Sequence, residues 1–387
     1  MQISVAERVQ QTEEYYFSKK LQEIAHLNNK GHDVINLGIG SPDLPPHPEV
    51  IAELQRVSEL PNSHGYQGYR GIPALRQAMS DWYKNYYSVH LSAEKEILPL
   101  IGSKEGVVHI CMTYLQEGDQ ALIPNPGYPA YASAVKLSGA EALPYTLDAK
   151  QNWLPDLEEL EKQDLSKVKL MWVNYPHMPT GSRASSSFFE KLIAFGRKNN
   201  ILICHDNPYS FILSEHPISL MQVPDAKDVA IELNSLSKCA NMAGWRLGML
   251  VGSEDRINEI LRFKSNMDSG MFLGIQMAAI KALYLGQEWY SQLNEIYRKR
   301  REKVYEILNV LGGKYQKDQS GLFVWAEVPQ NYKNGYEVTD DVLDKARVFI
   351  TPGGIFGSAG DPYIRISLCA NDDILDEALQ RIQKTIK

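Results

Sequence analysis

Short apolar runs and helical patterns take turns from about residue 45 to residue 250. The clearest strand-like runs are Gln120–Pro124, Val168–Asn174, Ile201–Cys204, Val229–Leu233 and Leu247–Val251. Between them lie stretches with helical spacing of apolar residues, such as Val107–Leu115 and Ser187–Asn199. Alternation sustained over this length predicts an α/β fold, a mostly parallel sheet with helices on both faces. Sites in such sheets form beyond the carboxyl ends of the strands. The segments after each apolar run therefore carry the functional question.

One such segment reads Ser235-Leu236-Ser237-Lys238-Cys239-Ala240-Asn241-Met242-Ala243-Gly244-Trp245-Arg246-Leu247-Gly248. A lysine at a break between apolar runs can present its amine to a cavity. The Ser235 and Ser237 hydroxyls and the Arg246 fork beside it suit a phosphate. An amine next to a phosphate site suggests a Schiff base with pyridoxal phosphate. That cofactor works best with its pyridine nitrogen protonated, and a buried carboxylate keeps it so. Asp206 is the candidate, because it ends the apolar run Ile201-Leu202-Ile203-Cys204. Tyr209, three residues on, can hydrogen-bond the ring's 3′-oxygen. A strand followed by Gly102-Ser103-Lys104-Glu105-Gly106 and an apolar helix places free N–H groups at a helix start. Gly102 permits close approach of the backbone there. Arg365 lies in the alternating run Tyr363-Ile364-Arg365-Ile366-Ser367-Leu368, where a guanidinium can hold a carboxylate bidentately.

These segments, in this order, resemble the class I/II aminotransferases, the fold-type I pyridoxal-phosphate enzymes. The lysine run is similar to their cofactor signature, Ser-x-Ser-Lys-x5-Gly-x-Arg-x-Gly, and Asp206-Asn207-Pro208-Tyr209 to their Asp-x-x-Tyr. The resemblance implies a phosphate cup made of Ser235, Ser237, Arg246 and the Ser103 and Lys104 backbone N–H groups. It makes Tyr128, in Pro126-Gly127-Tyr128-Pro129, the aromatic that stacks on the cofactor ring. It makes Arg365 and the Gly40 backbone the holders of the substrate's α-carboxylate. Tyr66, in Tyr66-Gln67-Gly68-Tyr69-Arg70-Gly71-Ile72-Pro73-Ala74-Leu75-Arg76, matches a tyrosine that reaches the neighbouring subunit's phosphate. A homodimer with shared active sites is implied.

The implied reaction is ping-pong transfer of an amino group from an L-amino acid to a 2-oxo acid, with Lys238 moving the proton between the substrate Cα and the cofactor. A β-eliminating C–S lyase would use the same lysine and electron sink, and is the alternative reaction. A non-catalytic cofactor-binding sensor is a further alternative, but no segment remains for the DNA-binding module such proteins carry. One departure from the family pattern stands out. In Asn174-Tyr175-Pro176-His177-Met178-Pro179-Thr180-Gly181, Met178 takes the place of an asparagine that normally donates to the cofactor's 3′-oxygen. A thioether cannot donate. Tyr209 would then carry that bond, helped by Asn174 or a water. The stretch Lys264-Ser265-Asn266-Met267-Asp268-Ser269-Gly270-Met271-Phe272 looks like one found in diaminopimelate-type aminotransferases. Alanine, methionine and aromatic aminotransferases share its surroundings.

The rest of the chain fits two domains. Its 387 residues exceed one average domain. A helical pattern over residues 6–29 places Val9, Phe17, Leu21, Ile24 and Ala25 on one side. A longer one, residues 289–311, carries Leu293, Ile296, Tyr297, Val304, Ile307, Leu308 and Leu311 on one stripe. Strand-like runs follow at Leu322–Val328, Val348–Thr351 and Tyr363–Leu368, with a helix near Val338–Arg347. These read as a smaller α+β domain. The resemblance implies that the N-terminal segment joins it, giving a large domain over 45–288 and a small one from 1–44 and 289–387.

A net charge of −7 disfavours a nucleic-acid or anionic-membrane surface. The basic run Arg298-Lys299-Arg300-Arg301 is interleaved with Glu295, Glu302 and Glu306, and reads as a solvated helix face. Cys111, Cys204, Cys239 and Cys369 form no C-x-x-C and read as free thiols in a reducing, cytoplasmic setting. The segment Met1–Lys30 lacks a signal-peptide core, and no apolar run approaches the length of a membrane span. The nine histidines are scattered without a His-Glu-x-x-His, so no metal is expected.

Overall fold

A computed structural model describes residues 3–10 and 16–385. Seven strands make the central sheet: β1 (Ile97–Leu100), β2 (Gln120–Asn125), β3 (Glu141–Thr146), β4 (Val168–Asn174), β5 (Leu202–Asp206), β6 (Ala230–Ser235) and β7 (Gly248–Val251). Their order is β1-β7-β6-β5-β4-β2-β3. β7 runs antiparallel to both its neighbours, and the other pairings are parallel. The expected sheet is therefore present, with one reversed strand. β5 and β6 are buried at every position, as strands covered on both faces must be. The two edge strands each hold a proline, Pro99 and Pro144, where a missing N–H costs no ladder bond. That proline, with Glu141 and Thr146 also exposed, keeps Glu141–Thr146 from reading as an apolar run.

The helices between strands begin and end where local chemistry dictates. In Ser186–Asn199 the Ser185 side chain accepts from the Phe188 N–H, and Asn200 closes the helix in the left-handed region. The helix Ser103–Tyr114 starts at Gly102, with φ at +82°. That φ favours glycine, and a Cβ there would lie 2.1 Å from the Arg246 guanidinium, which would have to move.

A second sheet, fully antiparallel, comprises β8 (Lys314–Tyr315), β9 (Phe323–Glu327), β10 (Thr351–Pro352) and β11 (Tyr363–Ser367), in the order β10-β11-β9-β8. The N-terminal segment joins this part of the chain. Ile35 and Asn36 pair in parallel with Val348 and Phe349, and the Ser367 N–H donates to the Leu37 carbonyl at 2.8 Å.

The helix expected over 6–29 is seen as Glu7–Gln10 and Tyr16–Asn29, and its middle, residues 11–15, lies outside the described residues. Phe17 and Ile24 are buried, but Val9, Leu21 and Ala25 are exposed. The long helix is Gly286–Leu311, and its predicted stripe is buried apart from Ile296. The basic run on it is not simply a solvated face. Arg300 is 3% exposed and forms a bidentate pair with Asp43 at 2.7 and 2.8 Å. Its period places it on the buried stripe, where a guanidinium needs a planar acidic partner.

Candidate active site

The carboxyl ends of five strands of the large sheet meet the second sheet at one cavity of about 620 Å³. Ser103, Lys104, Tyr128, Asn174, Asp206, Tyr209, Ser235, Ser237, Lys238, Arg246, Gly40 and Arg365 all line it. Tyr66 does not. It lies outside its own chain's cavity with its side chain 96% exposed.

Asp206 is the last residue of β5 and stands in register with Asn174, the last of β4. One of its oxygens accepts from the Tyr131 hydroxyl at 2.8 Å. The other is buried and has no hydrogen-bond partner among the described residues. Burial pushes this carboxyl up to about 6, against the Tyr131 bond, which lowers it. Tyr131 escaped the sequence reading. It stacks parallel on Trp172 at 4.9 Å, and its ring stands edge-on to Tyr128 at 5.5 Å. Its signal was its place three residues after Tyr128, at the start of the helix Pro129–Leu137.

Lys238 sits in the short helix Leu236–Cys239 that follows β6, capped by the Ser235 side chain on the Ser237 N–H. Its amine donates to the Gly40 carbonyl at 2.6 Å. Burial lowers its pKa, and the positive charges of Arg365 and Arg246 lower it further. Gly40 was expected to face a substrate through its backbone. What the structure shows is its carbonyl holding the lysine, and its Cα packed so that a Cβ would fall 2.0 Å from the Phe323 ring.

Arg365 lies mid-strand in β11 and is 3% exposed. Its Nη2 donates to the Gly38 carbonyl at 2.7 Å, and its Nη1 to the Met178 sulfur at 3.3 Å. The guanidinium carbon is 3.7 Å from the Phe323 ring centre and 4.6 Å from that of Phe356. Met178 therefore lines the cavity, as its loop position implied, with its sulfur on the arginine. Asn174 is engaged by backbone at both ends of its carboxamide. It donates to the Asp206 carbonyl at 2.6 Å and accepts from the Met178 N–H at 2.7 Å. It ties β4, β5 and the Met178 loop together, which was not foreseen.

The site has what pyridoxal phosphate requires. A buried carboxylate keeps one oxygen in reserve for a pyridinium N–H, and a lysine of lowered pKa lies in the same cavity. The Gly102 turn and Arg246 close on each other tightly enough to exclude a Cβ, and open into the cavity beside Ser235 and Ser237.

The sequence model of the family described as aminotransferase class I and II matches residues 32–382. An LL-diaminopimelate aminotransferase of Dehalococcoides mccartyi is 42% identical over 98% of both chains. One from Oleidesulfovibrio alaskensis is 41% identical over 98% of this chain and 99% of its own. Among solved structures, substrate-bound BacF from Bacillus subtilis superposes with a TM-score of 0.95 at 37% identity, over 99% of this chain and 98% of that one. An aminotransferase from Staphylococcus aureus gives 0.89 at 30% identity, over 98% of each chain. These relatives disfavour the β-eliminating lyase. With a fitting site, a matched family model and relatives alike along nearly their whole length, the chain belongs to the class I and II aminotransferases and works with pyridoxal phosphate.

Proposed function

We propose that Lys238 is the catalytic base of this aminotransferase, that Asp206 holds the cofactor's ring nitrogen, and that Arg365 holds the α-carboxylate of an L-amino acid. One observation carries the reading. The Lys238 amine and the Arg365 guanidinium are anchored two residues apart on the same backbone, at the Gly40 and Gly38 carbonyls. A substrate gripped by its carboxylate at Arg365 would thus present its Cα beside the lysine. Bound pyridoxal phosphate supplies the electron sink that makes the Cα proton acidic. The chain supplies the rest. Lys238, its pKa lowered by burial and two arginines, can be neutral when it must accept that proton at Nζ. Asp206 would hold the ring nitrogen, Tyr209 would serve the ring oxygen, and Tyr128 would cover the ring. Ser235, Ser237, Arg246 and the N–H groups of Ser103 and Lys104 would take the phosphate. Asn174 holds the Met178 loop and β5 in place.

Tyr66 completes the neighbour's phosphate site in a homodimer. Its 96% exposure supports this, as does a second exposed tyrosine, Tyr69, on the same segment. We divide the chain into a large domain, 45–288, and a small one, 1–44 with 289–387. The pairing of Ile35 and Asn36 with Val348 and Phe349 supports that division. No helix among the described residues is long and apolar enough to cross a membrane. The four cysteines are unpaired, three of them buried, which suits a reducing cytoplasm.

For the amino donor we take LL-diaminopimelate, from the relatives at 41–42% identity and the Lys264–Phe272 stretch. A second reading, a donor with an apolar side chain, is favoured by Phe17, Leu21, Ile39 and Phe356 in the cavity lining. The test is an absorbance titration of the holoenzyme against an amino-acid panel, run beside Lys238→Ala. LL-diaminopimelate should convert the cofactor in the wild type, while the variant should lose roughly 10⁴-fold in that conversion. Full conversion by Lys238→Ala would remove the lysine from the mechanism. Preference for phenylalanine or leucine would select the apolar donor.

A further inference from the structure

Lys264 ends the helix Glu254–Lys264 and is only 1% exposed. A buried ammonium needs partners. It has two, Glu105 at 3.3 Å and Asp268, one helical turn on. Glu105 also meets the His109 ring at 2.6 Å, and its second oxygen accepts the Ile101 N–H. Burial raises the Glu105 pKa, but the bonds to His109 and Asp268 and the Lys264 charge outweigh it and hold the carboxyl below the usual carboxylate range. Glu105, His109 and Asp268 bring their ligand atoms within 4.8 Å of one another, the kind of group that can hold a metal. Here the Lys264 ammonium is bonded to both carboxylates and fills a cation's place.

The position of this cluster gives it a role. Glu105 is the third residue of the helix Ser103–Tyr114, and Ile101 precedes the cap Gly102. One carboxylate therefore clasps the turn from both sides of Gly102. The turn has no slack on its other side, since a Cβ on Gly248 would lie 2.7 Å from the Ser103 nitrogen. Asp268 stands two residues before Gly270, which bridges to Gln67 beside Tyr66.

We propose that Lys264, Glu105, His109 and Asp268 are positioning residues that fix the Gly102–Ser103 turn for the cofactor's phosphate, an inference that rests on assigning that turn to the phosphate. None of the four residues lines the cavity. It acts by locking the helix start that aims the N–H groups, and it ties that start to the segment bearing Tyr66.

The test compares two ligands of the apoenzyme, pyridoxal phosphate and pyridoxal, which lacks the phosphate. In Lys264→Met, affinity for pyridoxal phosphate should fall about tenfold or more, with affinity for pyridoxal unchanged. The double variant Lys264→Met/Glu105→Gln leaves no buried unpaired carboxylate at position 105 and serves if the single variant does not fold. It should show the same selective loss. An equal loss for both ligands would mean a merely structural role, and an undiminished preference for the phosphate would mean no role; either result overturns the proposal. If the wild type itself binds the two ligands alike, the phosphate assignment of the turn fails, and the proposal with it.

Discussion

At one end of the cavity, the polar groups follow strands of a single sheet. Ser103 comes after β1, Tyr128 after β2, Asn174 and Asp206 close β4 and β5, and Lys238 follows β6. At the other end, Arg365 is held by pieces from distant parts of the chain: the Gly38 carbonyl, the Met178 sulfur, and the rings of Phe323 and Phe356. The first end is rigid by construction, because strand register sets each side chain against the next, as Asn174 against Asp206. The second depends on how the small sheet and the N-terminal segment seat against the large sheet. The difference separates the machinery for the cofactor chemistry from the grip on the α-carboxylate that every donor carries.

The largest effect that would sharpen this contrast lies at the assembled end. Arg365→Ala should weaken every amino-acid donor by about 2–5 kcal/mol, because all share the α-carboxylate. The measurement is kcat/KM over several donors, with cofactor affinity as control. A loss confined to one donor would place Arg365 at the side-chain pocket instead, and the division between the two ends would fail.

The next effect belongs to the sheet end. Asp206 has an ordinary carboxyl pKa of 3.8 when exposed, and burial in the apoenzyme lifts it to about 6. The sign follows from which state ionises first. Below 3.8 both states are protonated and folding costs nothing extra. Between the two values the unfolded chain ionises first, so apoenzyme stability falls as pH rises. Above about 6 the cost is complete, roughly 3 kcal/mol for two units. Asp206→Asn should therefore raise the apoenzyme's melting temperature at pH 7.5 and leave it unchanged at pH 3.5, provided the apoenzyme stays folded there. Single-turnover deprotonation in the loaded variant should drop by about 10²-fold or more. An apoenzyme not stabilised at pH 7.5 would show that the carboxylate is solvated or paired, contrary to its buried setting.

The same contrast explains what the sequence could tell. Lys238, Asp206, Ser103 and Arg246 were legible because each sits in a local motif beside an apolar run, and local order carries their chemistry. Tyr131 was missed because its partners Asp206 and Trp172 come from other strands. The Gly38 and Gly40 carbonyls were missed as anchors because a backbone acceptor leaves no trace in residue type. Nothing in the sequence marks Phe323 or Phe356 for the place the fold gives them, with their rings on Arg365. Arg300 was misread because a run of four basic residues looks solvated, and only the fold brings Asp43 to one of them. The alternation of strands and helices foretold the sheet itself, apart from the proline-bearing edge strand Glu141–Thr146 and the reversal of β7.

The smallest predicted effect tests the point where the two ends touch. Met178 is held from the sheet end through its N–H on Asn174, and its sulfur reaches the arginine end. In the family pattern an asparagine stands there and donates to the cofactor's ring oxygen. In Met178→Asn the new Oδ1 can take over the Arg365 bond while Nδ2 turns into the cavity as a donor that the thioether lacks. A hydrogen bond to a charged ring oxygen is worth about 1.5–3 kcal/mol, and only part of that differs between the two protonation states. A better-stabilised oxygen holds the adjacent proton less tightly, so the spectral pKa of the Lys238-bound cofactor should fall by up to about one unit. Donor kcat/KM should change little, because the Arg365 fork keeps its acceptor. A pH titration of the cofactor absorbance in the two proteins measures the shift. A pKa that stays or rises in Met178→Asn would show that the side chain at 178 serves the arginine alone, and that the two ends of the cavity are not joined at this residue.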